Sequence, residues 1–238
     1  MRDVGRLFVM LALCACGWSG CRMSGGSDSS EATPPVASGH HQPPAQRDFS
    51  DYIARMESSE RAKWQKPEQV LSALQLRPGE RIADVGCGPG YFTLRFAEAV
   101  GAAGTVWGVD IEPAMLARLR EQMRDRKIEN IRAVHCTESD PALPAGQVDT
   151  IFIVNTYHHF EYRPVYVSRL KQALAPGGRI VIIDFVPKSR KERGFGPRLE
   201  MQLSRKTVDA ELATSGFYPA AEHSFLPEQY FVEYRLKQ

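Results

Sequence analysis

Glycine takes every second position in Asp84-Val85-Gly86-Cys87-Gly88-Pro89-Gly90, a D-x-G-x-G-x-G turn. Residues without a Cβ let a backbone bend sharply and let a ligand approach it closely. A dinucleotide turn would read G-x-G-x-x-G with a phosphate at the following helix start. Here the third glycine comes one place early, and an acid precedes the turn. A second acid, Asp110, ends a later apolar run. At a strand end beside a glycine turn such a carboxylate can accept both hydroxyls of a ribose; in isolation it would more often cap a helix. Further on, Asn155-Thr156-Tyr157-His158-His159-Phe160 sets two imidazoles side by side. Histidine titrates in the range a general base needs, so His158 and His159 are either proton acceptors or packing and capping groups. Glu161 is the only further ligand close by, which is too few for a metal site.

These residues need a scaffold, and the hydrophobic periodicity supplies one. Apolar runs at 81–85, 105–110, 131–135, 149–155 and 179–185 read as strands, and 149–155 (DTIFIVN) is apolar on both faces, as a central parallel strand should be. Helical spacing fills the intervals at 91–100, 114–126 and 164–175. Pro113 is placed to open the second of these helices, and Pro176-Gly177-Gly178 to stop the third. A last helix is expected at 207–215, followed by strands at 217–223 and 229–234. Alternating strands and helices imply an α/β, Rossmann-like doubly wound sheet of seven strands, mostly parallel with an antiparallel edge strand. Ligands of such sheets bind beyond the carboxyl ends of the strands.

The glycine turn and its preceding acid resemble the first motif of the class I S-adenosyl-methionine-dependent methyltransferases. Asp110 with Glu112-Pro113-Ala114-Met115-Leu116 is similar to that family's segment around the ribose acid, and Leu174-Ala175-Pro176-Gly177-Gly178-Arg179-Ile180 to its L-x-P-G-G-x-L turn. The matching motifs run from about 81 to 185 in the right order and spacing. The resemblance implies S-adenosyl-methionine as cofactor, held by Asp84, Gly86, Cys87, Gly88, Gly90 and Asp110, with Ile111 and Met115 flanking the adenine. The family's adenine-contacting Gly-Asp is replaced here by Cys136-Thr137, so Thr137 and Glu138 take that expected role or form a polar turn. Asn155, Tyr157, His158 and His159 would lie beside the reactive sulfonium. There the protein must mainly align an acceptor with the methyl carbon and exclude water, with His158 or His159 as a base where a proton must leave.

Composition bounds the partners. Basic residues number 30 against 28 acidic, and Arg2, Arg6 and Arg22 against Asp3 account for the excess, so the body is neutral and lacks the footprint of a nucleic-acid binder. A small-molecule methyl acceptor is expected instead. Residues 7–15 (LFVMLALCA) form an apolar run too short to span a bilayer, and Cys14, Cys16 and Cys21 crowd its end. The segment 1–21 resembles a bacterial lipoprotein signal, with Cys16 or Cys21 lipidated. Residues 22–47 read as a disordered Ser, Gly and Pro tether in which His40 and His41 are solvated. A protein anchored by lipid and facing the periplasm follows, or a cytoplasmic one should translation start at Met23. The catalytic domain spans 48–238, with 48–70 as a lid or cap bearing Phe49, Tyr52, Met56 and Trp64. The basic stretch 187–197 reads as a solvated insertion. Cys87 and Cys136 alone cannot supply the thiolate cluster that metalloid methylation favours. Rival readings are a nucleoside-binding scaffold without turnover and a nicotinamide-dependent oxidoreductase.

Overall fold

A computed structural model describes residues 49–237, with every side chain except that of Arg190. The lipoprotein-type segment and the tether lie outside the described residues. The sheet contains β1 (Arg81–Val85), β2 (Thr105–Asp110), β3 (Ile131–His135), β4 (Val148–Val154), β5 (Leu174–Phe185), β6 (Phe217–His223) and β7 (Gln229–Leu236). Their order is β3-β2-β1-β4-β5-β7-β6. Strands β1 to β5 pair in parallel, and β7 runs antiparallel to both β5 and the outermost β6. The chain leaves β1 toward β2 on one side and returns to β4 on the other. The crevice at this reversal, beyond the carboxyl ends of β1 and β4, is where a doubly wound sheet takes its ligand.

Each central strand is apolar on both faces because helices cover both. The described helices are α1 (Ser50–Glu57), α2 (Ser59–Gln65), α3 (Pro67–Leu74), α4 (Thr93–Val100), α5 (Pro113–Arg126), α6 (Arg163–Ala173), α7 (Arg190–Arg193) and α8 (Arg205–Thr214). Ala83, Val85, Ile151 and Ile153 point to one face and pack against Val167 and Leu170 of α6 and Val208 and Leu212 of α8. The alternate residues Ile82, Phe152 and Val154 point to the other and meet α3, α4 and α5 through Leu74, Phe96 and Leu119. No described helix is long and apolar enough to cross a membrane.

Three local features differ from the expectations. Residues 174–178 are drawn into β5, with a register shift opposite Val148 and Thr150, so the Pro-Gly-Gly segment both stops α6 and begins the strand. The segment before β1, expected as a lid or cap, is three short helices. Ser58 caps α2 through the Glu60 N–H, and the left-handed Lys66 hands the chain to Pro67 at the start of α3. The basic stretch is an ordered cap rather than a solvated insertion. Arg193, its side chain fully buried, donates to the Glu228 carboxylate and the Val186 carbonyl and stacks over Phe185. Gln202 holds the same loop by donating to the Lys188 and Pro197 carbonyls at 3.0 and 2.8 Å.

An ionic network closes the opposite end of the sheet. Arg179 donates to Glu233 at 2.8 Å, to the Thr150 hydroxyl at 3.0 Å and to the Leu74 carbonyl at 2.6 Å, while Thr150 donates to Glu80 at 2.7 Å. The Glu80 and Glu233 side chains are only 4% and 8% exposed, and Arg179 is the partner they share, with Arg77 also 3.8 Å from Glu80 and His223 2.9 Å from Glu233. Arg179→Leu removes the shared partner and is expected to cost about 1–3 kcal/mol in denaturant unfolding. The exposed pair Lys63–Glu60 is the control, and Lys63→Leu should change stability by less than about 1 kcal/mol.

Candidate functional site

The glycine turn is squeezed from three sides. Gly86, Gly88 and Gly90 have φ of 76°, 56° and 104°, a region that favours glycine. A Cβ on Gly86 would lie 2.2 Å from the Thr156 hydroxyl, on Gly88 2.4 Å from the Met56 methyl, and on Gly90 2.6 Å from Leu119. The loop after β4, helix α1 and helix α5 therefore all close on this turn. Gly88 donates its N–H to Asp110 Oδ2 at 2.8 Å, and Glu112 donates to Oδ1 at 2.9 Å. Asp110 thus joins the ends of β1 and β2, with a second lone pair left on each oxygen. Burial pushes its carboxyl above the ordinary value despite these bonds. Cys87 packs in the core; burial raises its thiol well above the usual range, so it is no thiolate.

Three buried polar atoms beside the turn have no partner among the described residues: Asp84 Oδ1, Arg61 Nε and Tyr91 Oη. Asp84 accepts from the Thr93 hydroxyl at 2.6 Å through its other oxygen. Burial raises its carboxyl to about 7, opposed by the Thr93 bond and the charge of Arg61. Arg61, from α2, stacks 4.1 Å from the Tyr91 ring centroid and donates to the Met56 carbonyl. Burial lowers its pKa to about 10, which leaves it charged at neutral pH. Buried polar groups are normally satisfied, so an orphaned anion and cation within each other's field form a place for a zwitterion. Arg61 lies among the charges of SERAKWQ, where spacing gives no signal; only the fold brings it to the turn.

Beyond β4 the expected residues separate. Asn155, left-handed at φ 53°, joins a closed ring of amides: it donates to Gln65, Gln65 donates to Gln229, and Gln229 donates back to Asn155. Tyr157 turns its fully buried ring into the α6/α8 face and donates to Glu211 at 2.9 Å. His158 is buried and its Nδ1 faces both oxygens of Asp184, at 2.8 and 2.9 Å. His159 is exposed, with its ring centroid 4.1 Å from that of His158; partial burial and then its neighbour lower its pKa. Met115 is buried on α5, whereas Ile111 is 49% exposed at the end of β2. Thr137 and Glu138 are exposed, and Thr137 and Asp140 bond each other in a polar turn. Of the lid aromatics, Trp64 packs on Phe185 and Phe195, while Tyr52 faces solvent.

A cleft of about 720 Å³ opens elsewhere, against α1, α3, α4 and α5. Most of its charges pair with one another, Arg118 with Glu57 and Glu121 and Arg95 with Glu68, and Tyr91, which follows the glycine turn, is part of its wall. The unpartnered buried atoms Asp84 Oδ1 and Arg61 Nε lie at the glycine turn, outside that lining.

Residues 82–178 match the family described as a methyltransferase domain. The chain is 33% identical to nocamycin O-methyltransferase of Saccharothrix syringae over 130 residues, covering 54% of this chain and 46% of that one. Over 116 residues it is 27% identical to a ubiquinone/menaquinone biosynthesis C-methyltransferase of Burkholderia multivorans, covering 49% and 47%. It thus spans about half the length of these curated relatives. Among solved structures, an S-adenosyl-methionine-dependent methyltransferase from Aquifex aeolicus superposes with a TM-score of 0.72 at 24% identity, covering 77% of this chain and 96% of that one. The chain therefore shares the seven-stranded fold of that structure, and its residues 82–178 are similar to the methyltransferase-domain family.

Proposed function

We propose that the protein is an S-adenosyl-methionine-dependent methyltransferase acting on a small organic acceptor. The observation that carries this reading is the set of unmet groups at the glycine turn: Asp84 Oδ1, Arg61 Nε and Tyr91 Oη. An amino acid's ammonium and carboxylate are the complement of Asp84 and Arg61, and a ribose is the complement of Asp110 next door. When bound, S-adenosyl-methionine supplies a methyl group on a cationic sulfur. In this reading Asp84 neutralises the ammonium, Arg61 pairs with the carboxylate, and Asp110 accepts the ribose hydroxyls on its remaining lone pairs. Ile111 and Met115 flank the adenine, and Thr137 or Glu138 reaches its amino group. Helices α1 and α2 cover the turn, with Met56 over Gly88 and Glu57 bonded by Arg118 and Gln122 of α5, and so exclude water. His158 and His159 lie on the acceptor side, Asn155 braces the loop that carries them, and Tyr157 anchors it from below.

The body is proposed to be tethered by a lipid on Cys16 or Cys21 and to face the periplasm, on the strength of the apolar run and the cysteines at its end. Translation from Met23 would instead give a cytoplasmic enzyme. Detergent partitioning of the full chain and of its Cys16→Ser/Cys21→Ser double variant separates the two.

Calorimetry of the full chain should register binding of S-adenosyl-methionine and none of NADH. Asp110→Ala and Arg61→Met should each weaken that binding by about 1–3 kcal/mol, roughly 5- to 150-fold. Unchanged affinity in both variants would refute the site.

The Asp84 carboxyl sets a pH dependence with a definite sign. Its folded pKa, about 7, lies above its ordinary 3.8, so in the ligand-free protein its contribution to stability falls as pH rises from about 4 to about 7. Binding an ammonium requires the ionised form. Affinity should therefore be complete above about pH 7 and decline on acidification, approaching tenfold per unit, and Asp84→Asn should abolish that slope.

A further inference from the structure

Asp184 is the buried penultimate residue of β5, at the carboxyl end of the strand. Its carboxylate meets His158 Nδ1 at 2.8 and 2.9 Å, and the two side chains are 3% and 2% exposed. The backbone N–H of Phe185 donates to the same carboxylate at 2.8 Å, and that of His158 at 3.4 Å. Among the described residues no arginine or lysine pairs with it, so the imidazole is its only side-chain partner. The cross-strand neighbour Tyr230 sits opposite Asp184 in β7, and its phenol is raised by burial and then by the Asp184 charge, so it stays neutral.

An ionised carboxylate only accepts hydrogen bonds, so His158 must donate from Nδ1. In a neutral imidazole this leaves Nε2 bare, and Nε2 has no hydrogen-bond partner among the described residues. Resting on the methyl-transfer reading, we propose that Asp184 is the positioning residue for His158, fixing ring and tautomer so that Nε2 takes the proton of an acceptor that must lose one. The bond broken is the acceptor's bond to hydrogen; its electron pair stays on the acceptor atom, which thereby becomes the nucleophile. The proton moves to Nε2, and the resulting imidazolium has the Asp184 carboxylate as its counter-ion. Asp184 touches no reacting atom and acts through His158 alone.

The test is imidazole NMR on the full chain labelled with ¹⁵N, at pH 8, with His158 assigned by its disappearance in His158→Gln. The expected spectrum has His158 protonated at Nδ1, with a downfield, slowly exchanging proton, and unprotonated at Nε2. In Asp184→Asn the amide can donate to Nδ1, so the protonated nitrogen should switch to Nε2 while affinity for S-adenosyl-methionine stays unchanged. A wild-type spectrum with Nε2 protonated overturns the proposal, as does the same tautomer in both proteins. Should Asp184→Asn fail to fold, the wild-type tautomer alone decides. Loss of S-adenosyl-methionine binding in the wild type would count against the methyl-transfer reading and leaves the tautomer measurement standing by itself.

Discussion

The hydrogen bond from the Gly88 N–H to Asp110 Oδ2 is the constraint on which the crevice depends. It ties the turn after β1 to the end of β2, and only a chain without a Cβ at 86, 88 and 90 can make that approach. Thr156 from the loop after β4, Met56 from α1 and Leu119 from α5 then close against the bare backbone. Each supplies a wall, and none could come so near a larger residue. The site is therefore a product of backbone proximity first and of side-chain chemistry second.

Around that turn the protein leaves charge unsatisfied. Burial raises the Asp84 carboxyl and lowers the Arg61 guanidinium, each toward its neutral form, because neither has the full set of partners that would repay its loss of water. At the opposite end of the sheet the same chain pairs comparable groups, as with Arg179 between Glu80 and Glu233. The contrast between a closed network at one end of the sheet and an open one at the other distinguishes scaffold from site.

Local patterns carried much of the architecture. Alternation and helical spacing locate the strands to within a residue or two for β1 to β4, since a parallel strand buried on both faces must be continuously apolar. The glycine turn and Asp110 were equally legible, because both lie next to strand ends in sequence. Residues whose roles arise from distant partners were not. Arg61 reaches Tyr91 only through the docking of α2, Asp184 is one acid in an apolar strand until His158 turns toward it, and Gln65 meets Gln229 across 164 positions. Asn155 was visible as a polar residue after β4, but its left-handed backbone and its amide partners were not. The basic stretch reads as solvated because composition cannot register that Arg193 folds under Phe185.

The ring formed by Gln65, Asn155 and Gln229 joins the segment that precedes the sheet to a strand near the end of the chain. Lys66 reinforces the junction by donating to the Phe225 carbonyl at 2.8 Å. During synthesis the first of these amides emerges long before the last, and until Gln229 arrives the other two cannot complete the circuit. The early helices can rest on the turn and on α5 beforehand, through Arg61 on Tyr91 and Glu57 on Arg118, but the amide circuit closes only with the final strand. A product truncated before Gln229 would therefore keep the contacts of α1 and α2 with the turn and lose the stitch that fastens them to β7.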